Sequence, residues 1–227
     1  MFNTVKSPSA TKVFKSASAR QKLRVLFISH TYVVGVNQGK LKAIADTEEV
    51  EVALLAPSNW LAQEWNRVIK VETPFPEIKI YSAPVWFSGK GGAHIYNPWK
   101  IKQVINDFKP DVIQVEEEIF SLCAFEVALW ATLFRKPMVV FGWENQLRSL
   151  PFFRRWIRNF VMGATNLYLA GNQDGAEVMR NWNFQGEIDV MPQMGVDTEL
   201  FTPLVRKSSQ DHQINIGFLG RLVPEKG

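Results

Sequence analysis

The sequence predicts an α/β protein: a Rossmann-like parallel sheet with helices on both faces, followed by the first strand of a truncated second domain. Three observations predict it. Short apolar, β-rich runs alternate with helix-length segments from Leu23 to Met191, as chains of βαβ crossovers do. The first of these runs, "LRVLFIS", is apolar almost throughout, which suits a strand buried on both faces. A polar stretch over 192–213 then breaks the alternation, and Ile214–Leu219 starts a new strand. The implied organisation is a basic disordered leader over 1–22, a Rossmann-like domain over 23–191, an interdomain connector over 192–213, and the start of a second domain over 214–227.

The elements follow in order. Leu23–Ser29 is the first strand, and a loop with Gly35 and Gly39 leads into a helix ending near Asp46. Val50–Ala56 is the next strand. Ser58–Val68 reads as a helix with Ser58 as its N-cap. Ile78–Ala83 is a third strand, and Ser88–Asn97, with Gly89, Gly91 and Gly92, reads as a flexible loop. Trp99–Phe108 is helical, Asp111–Val115 a short strand, Ile119–Phe134 a buried helix interrupted by Glu126, and Pro137–Phe141 a strand. Pro151 suits the first turn of a helix running to Met162. Asn166–Ala170, Gln173–Trp182 and Glu187–Met191 complete the domain as strand, helix and strand. In such sheets ligands sit beyond the carboxyl ends of the strands, so the loops after Ser29, Val115 and Phe141 are expected to form one rim.

Composition narrows the class. The chain has 227 residues, 46% hydrophobic and 21% charged, enough for a sizeable core. Its net charge of +4 traces to the leader, where Lys6, Lys12, Lys15, Arg20 and Lys22 meet no acid. The remainder is near neutral, so nucleic-acid binding does not follow. The leader has no apolar run of signal-peptide length, and a disordered segment fits it better than a transit peptide. Cys123 is alone, which removes a disulfide framework or a cysteine metal site. The expected location is cytoplasmic.

Several motifs invite chemistry. Gly35-Val-Asn-Gln-Gly39-Lys40 lacks phosphate-loop spacing and the hydroxyl residue after Lys, but its amides at a helix start suit an anion. The absence of G-x-G-x-x-G argues against a nicotinamide enzyme. Glu116-Glu117-Glu118 reads first as a solvated helix start, where acids favour the dipole, with at least one carboxylate turned to the rim. Trp143, Glu144, Asn145 and Gln146 end a strand with an aromatic beside polar groups, as sugar binding by stacking and hydrogen bonding requires. Pro151–Met162 sets Phe153, Trp156, Ile157, Phe160 and Val161 on one face and Arg154, Arg155 and Arg158 on another. Ordinary packing with a basic outer face explains that pattern, and so does a helix lying on anionic lipid. His30, His94 and His212 show no ligand spacing, so no metal site is expected. In the closing turn, Gly220 admits close backbone approach, and Arg221 and Lys226 suit phosphate oxygens.

Three segments together resemble the family-four retaining glycosyltransferases. Met194-Gly-Val-Asp-Thr-Glu-Leu-Phe-Thr-Pro203 looks like that family's interdomain signature, with Met194 where Asn is usual. Gly217-Phe-Leu-Gly-Arg221 with Lys226-Gly227 looks like its donor-domain phosphate turn. Pro110–Ile113 leading to Glu117 is similar to its "pDvih.he" strand. The resemblance implies the two-domain GT-B fold and transfer of a sugar from a nucleotide-sugar donor with retention, no cofactor and no required metal. It maps Gly35, Gly220, Arg221 and Lys226 onto donor-diphosphate binding. It leaves Glu117 and Glu144 as catalytic candidates and Trp143, Asn145 and Gln146 as acceptor contacts. Partners would be the nucleotide-sugar donor and a sugar, lipid-linked or small-molecule acceptor, with no nucleic acid. Arg154, Arg155, Trp156 and Arg158 would serve peripheral contact with the inner face of a membrane. The loop shows Val34 where a paired glycine is usual, and the family's histidine near the Phe141 strand end is absent. The family's E-x7-E segment lies far downstream of the phosphate turn, beyond Gly227, so the 227-residue chain is expected to be a fragment and inactive alone. The alternative is a non-catalytic, membrane-surface binding module of the same fold.

Overall fold

The computed structural model describes residues 22–63 and 66–192, together with 195, 196, 198, 199, 201, 202 and 217. The chain divides into Met1–Gly195 and Val196–Gly227. The leader up to residue 21, most of the connector, and the predicted phosphate-turn residues Gly220, Arg221 and Lys226 lie outside the described residues.

In chain order the first unit contains β1 (Leu23–Ile28), α1 (Gly39–Ala45), β2 (Val50–Pro57), β3 (Asn59–Ala62), β4 (Arg67–Lys70), β5 (Lys79–Ala83), β6 (Val85–Trp86) and β7 (Ile95–Tyr96). It continues with α2 (Pro98–Phe108), β8 (Val112–Glu116), α3 (Leu122–Leu133), β9 (Met138–Gly142), α4 (Phe152–Ala164), β10 (Leu167–Ala170), α5 (Gln173–Asn181) and β11 (Glu187–Val190). Two 3-10 turns, Thr31–Val33 and Gly35–Gln38, connect β1 to α1.

Seven strands form one wholly parallel sheet in the order β5-β2-β1-β8-β9-β10-β11. This is the Rossmann-like α/β architecture the alternation predicts. The chain winds outward from β1 in one direction, returns, and winds outward from β8 in the other. The gap between β1 and β8 is therefore the topological switch point.

Alternate side chains of each central strand enter two cores. Leu26, Ile28, Ala53 and Leu55 pack against residues of α2, α3, α4 and α5. Val25, Phe27, Val52 and Leu54 pack with Leu41 of α1, Trp60, Tyr32 and Val33. Three of the helices, α2, α3 and α5, start where a side chain satisfies an orphan amide. Asn97 accepts from Trp99, Ser121 from Ala124, and Asn172 from Gly175. Glu126, the one acid in α3, is buried and accepts the Tyr96 amide at 2.9 Å, which ties that helix to β7.

Two predicted elements differ. Ser58–Val68 is a hairpin of β3 and β4, not a helix. Trp60 and Ala62 are buried in strand alternation, and Asn66 turns through positive φ (45°), which a helix does not tolerate. Ser58 caps nothing: its amide donates to Ala83. The stretch Ser88–Asn97 is likewise not free loop, since β6 and β7 pair across it and its carbonyls at Gly91 and Gly92 accept from His94 and Arg154.

Candidate functional site

The carboxyl ends of β1, β8 and β9 do form one rim. They enclose a cavity of about 320 Å³ lined by His30, Thr31, Gly91, Gly92, Glu116, Glu117, Glu118, Phe141, Gly142 and Trp143. A larger hollow of about 780 Å³ runs along β5 and α2 instead, lined by Tyr81, Trp99, Lys100, Lys102 and Asp107 among others. The smaller one holds the titratable groups at the switch point, and on that ground it is the candidate site.

The three consecutive glutamates are not a solvated helix start. α3 begins only at Leu122, so the acids sit on the strand end and the turn after it. Glu116 and Glu117 are buried and Glu118 half-buried, and each is held differently. Glu116 accepts from Tyr32 Oη at 2.7 Å, Gln114 Nε2 at 2.8 Å and Lys40 Nζ at 2.5 Å. Lys40, the cation of the loop motif, thus neutralises a buried carboxylate. Glu117 Oε1 accepts from the His30 amide at 3.0 Å and lies 2.6 Å from His30 Nδ1 and 3.6 Å from His94 Nε2. Burial alone would raise its pKa, but the two imidazoles and the bonds from His30 hold it below the ordinary carboxylate value. Glu118 accepts from the amides of Trp143 at 3.1 Å and Glu144 at 3.2 Å. Burial, helped by the Glu144 and Glu117 carboxylates, pushes it up to about 7. Two backbone amides rather than a cation hold it, so it changes charge in the range where acid–base catalysis at neutral pH operates.

The other predicted residues divide. Trp143 walls the cavity and is half-exposed, with its ring edge-on to Phe141 at 5.9 Å. Glu144 is buried and committed: it pairs with Arg148 at 2.8 Å and accepts from the Gln146 amide. Asn145 and Gln146 are exposed and outside the cavity lining. The Gly35 amide donates to Glu72 at 2.6 Å, and a Cβ there would come within 2.9 Å of Pro74. That glycine has a packing reason, and the amide meets a phosphate only if Glu72 withdraws. On α4, Arg154 donates to the carbonyls of Gly92 and Phe120 and so pins the rim. Arg158 lies over the Trp182 ring at 4.8 Å. Phe152, Phe153 and Trp156 are exposed.

Sequence spacing missed the histidines. His30 follows β1, and His94 precedes β7, yet the fold sets both against Glu117, with their ring centroids 5.3 Å apart. Trp60 packs against both, 4.4 Å from His30 and 5.0 Å from His94. The signal lay in the β3–β4 hairpin that carries Trp60 to the rim, which a helical reading of 58–68 hides.

No family model matches the chain, and no curated protein does. Among solved structures it is similar to the UDP-GlcNAc 2-epimerase of Methanocaldococcus jannaschii in complex with UDP-GlcNAc and UDP. That match has 14% identity and a TM-score of 0.47, and covers 75% of this chain and 46% of the other. It is also similar to the UDP-GlcNAc 2-epimerase of Neisseria meningitidis bound to UDP-GlcNAc, with 16% identity, a TM-score of 0.45, and 75% and 45% coverage. The chain spans less than half the length of the solved structures it matches. No helix among the described residues is long and apolar enough to cross a membrane.

Proposed function

We propose that this chain carries the acceptor-side half of a glycosyltransferase that moves a sugar from a nucleotide-sugar donor with retention at the anomeric carbon. The observation that carries the reading is the acidic, tryptophan-walled cavity at the switch point, in a chain whose distal sequence carries Gly220, Arg221 and Lys226. A rim of carboxylates repels phosphate and suits hydroxyl groups. The cations of the distal sequence, Arg221 and Lys226, have the opposite preference. Breaking the donor bond places charge on a diphosphate, which Arg221 and Lys226 would stabilise as fixed cations, so the transfer calls for no metal. Trp143 would stack on a sugar face, and Glu118 would accept the hydrogen bond of the acceptor hydroxyl. Glu118 displaces Glu144 as the acid–base candidate, because Glu144 is held by Arg148. Calorimetric titration with UDP and with GDP tests the donor side. Binding of one of them, lost in Arg221→Ala/Lys226→Ala, is expected. Failure of both nucleotides to bind, or binding indifferent to the double variant, refutes it.

A membrane contact has its own observation: Phe152, Phe153 and Trp156 are exposed together at the start of α4, next to Arg155. Such an edge suits the interface of an anionic bilayer. Arg154 is engaged by the rim and is not counted as a lipid contact. Sedimentation with phosphatidylglycerol vesicles should fall in Phe153→Ser/Trp156→Ser, and unchanged partitioning removes the contact.

A further inference from the structure

We infer that His30, His94 and Glu117 form a three-ligand site for a late first-row divalent cation such as zinc. Nothing in the transfer chemistry proposed above requires this site. Its donor atoms arrive from three separate segments: the end of β1, the start of β7 and the end of β8. They lie within 4.8 Å of one another.

The decisive group is His94, which is fully buried. Its Nδ1 is 2.8 Å from the Gly91 carbonyl, and a carbonyl only accepts, so Nδ1 carries the hydrogen. In the neutral ring Nε2 then presents a bare lone pair. It is buried without a hydrogen-bond partner and faces the Glu117 carboxylate oxygen at 3.6 Å. A lone pair aimed at a buried anion is repulsive, and a buried polar atom without a partner calls for an explanation. Something positive belongs between them. A second proton on His94 would serve, and so would a metal ion held by the three donor atoms.

The chemistry of the donor set agrees. Two imidazoles and one carboxylate form a familiar three-ligand set for zinc, which leaves the fourth position to water or a ligand oxygen. Here the cavity adjoins that position, since His30 and Glu117 both line it. The Nδ1–H···O=C bond of His94 is the outer-shell contact that orients a metal-bound imidazole. Tetrahedral zinc ligands stand about 3.3 Å apart. The His94–Glu117 spacing is near that, while the 2.6 Å between His30 Nδ1 and Glu117 must open by under about 1 Å. A bound ion would fasten the β6–β7 hairpin to the sheet beside the cavity.

The test is titration of the chelator-treated 227-residue chain with Co2+ and with Zn2+, read by the visible d–d bands of four-coordinate cobalt and by calorimetry. One ion per chain is expected, with cobalt displaced by zinc. His30→Gln and Glu117→Gln should each weaken binding by more than the about 10–100-fold typical of losing an outer-shell partner. His212→Gln should change nothing. His94→Gln removes the buried ligand, and its circular dichroism shows whether it folds. If it does not, the two other ligand variants decide. Absence of saturable binding by the parent chain, binding that survives both His30→Gln and Glu117→Gln, or binding lost in His212→Gln overturns the site. A bond of His94 to Glu117 through a second proton would appear as a titrating imidazole signal with no metal uptake.

Discussion

Replacing Glu118 by Gln tests the electrostatics of the site most directly. Burial first, and the Glu144 and Glu117 carboxylates after it, move this carboxyl from its ordinary 4.5 up to about 7. The folded chain therefore binds that proton more tightly than the unfolded one. The sign follows from linkage: the stabilisation is fully present below about pH 4.5, is lost as pH rises towards 7, and is gone above it. At about 1.4 kcal/mol per pH unit the window is worth about 3 kcal/mol. Gln does not titrate. It also turns an NH2 group towards one of the two amides, of Trp143 and Glu144, that Glu118 now satisfies, at a cost of about 1–3 kcal/mol. Glu118→Gln should thus be less stable than the parent at pH 5 and should draw level with it or pass it at pH 8. Urea denaturation of both proteins across that range measures the difference. Glu126, pushed up by burial to about 7 as well, contributes equally to both curves and cancels. A difference in stability that does not change with pH would refute the assignment of the raised group to Glu118.

Other substitutions probe the supports of the rim. Gly142→Ala would drive a Cβ into the Tyr168 hydroxyl, itself in a buried residue, and should cost about 1–3 kcal/mol in thermal or chemical denaturation. Glu116→Ala leaves the Lys40 ammonium and the Tyr32 hydroxyl without their buried acceptor and should cost about 3–5 kcal/mol. Tyr32→Phe, which breaks only the hydroxyl contact, should cost about 1.5–3 kcal/mol. Trp60→Ala removes the ring under His30 and His94 and should cost about 3–5 kcal/mol. A cost within experimental error would show that the hairpin does not support the site.

The seven strands of the main sheet were legible because runs of apolar residues, separated by turn residues, leave little choice of element. The rim was legible in part: a parallel sheet puts the carboxyl ends of its strands on one edge, but the order that sets β1, β8 and β9 side by side comes from the fold. What hid from the sequence were pairings that depend on tertiary burial. The stretch from Asn59 to Lys70 has helix-like polarity, and only the burial of Trp60 and Ala62 settles it as a hairpin. The Glu116–Glu118 run reads as a solvated cluster until Lys40, His30 and the Trp143 amide are brought to it by distant segments. Glu144 reads as a sugar contact until Arg148 is found four residues on.

The four carboxylates of this region follow one rule that separates structural from reactive acids. Glu116 has Lys40, Glu117 has His30, and Glu144 has Arg148, a basic side chain in each case. Glu118 alone among them is balanced by a proton instead of a basic side chain, within the described residues. A half-buried carboxyl whose charge depends on a proton at about pH 7 costs stability that a fourth basic residue would restore. That side chain would also hold the carboxylate ionised and fill part of a cavity of about 320 Å³. The same absence that weakens the fold above pH 7 leaves one acid able to exchange a proton with whatever hydroxyl enters beside Trp143.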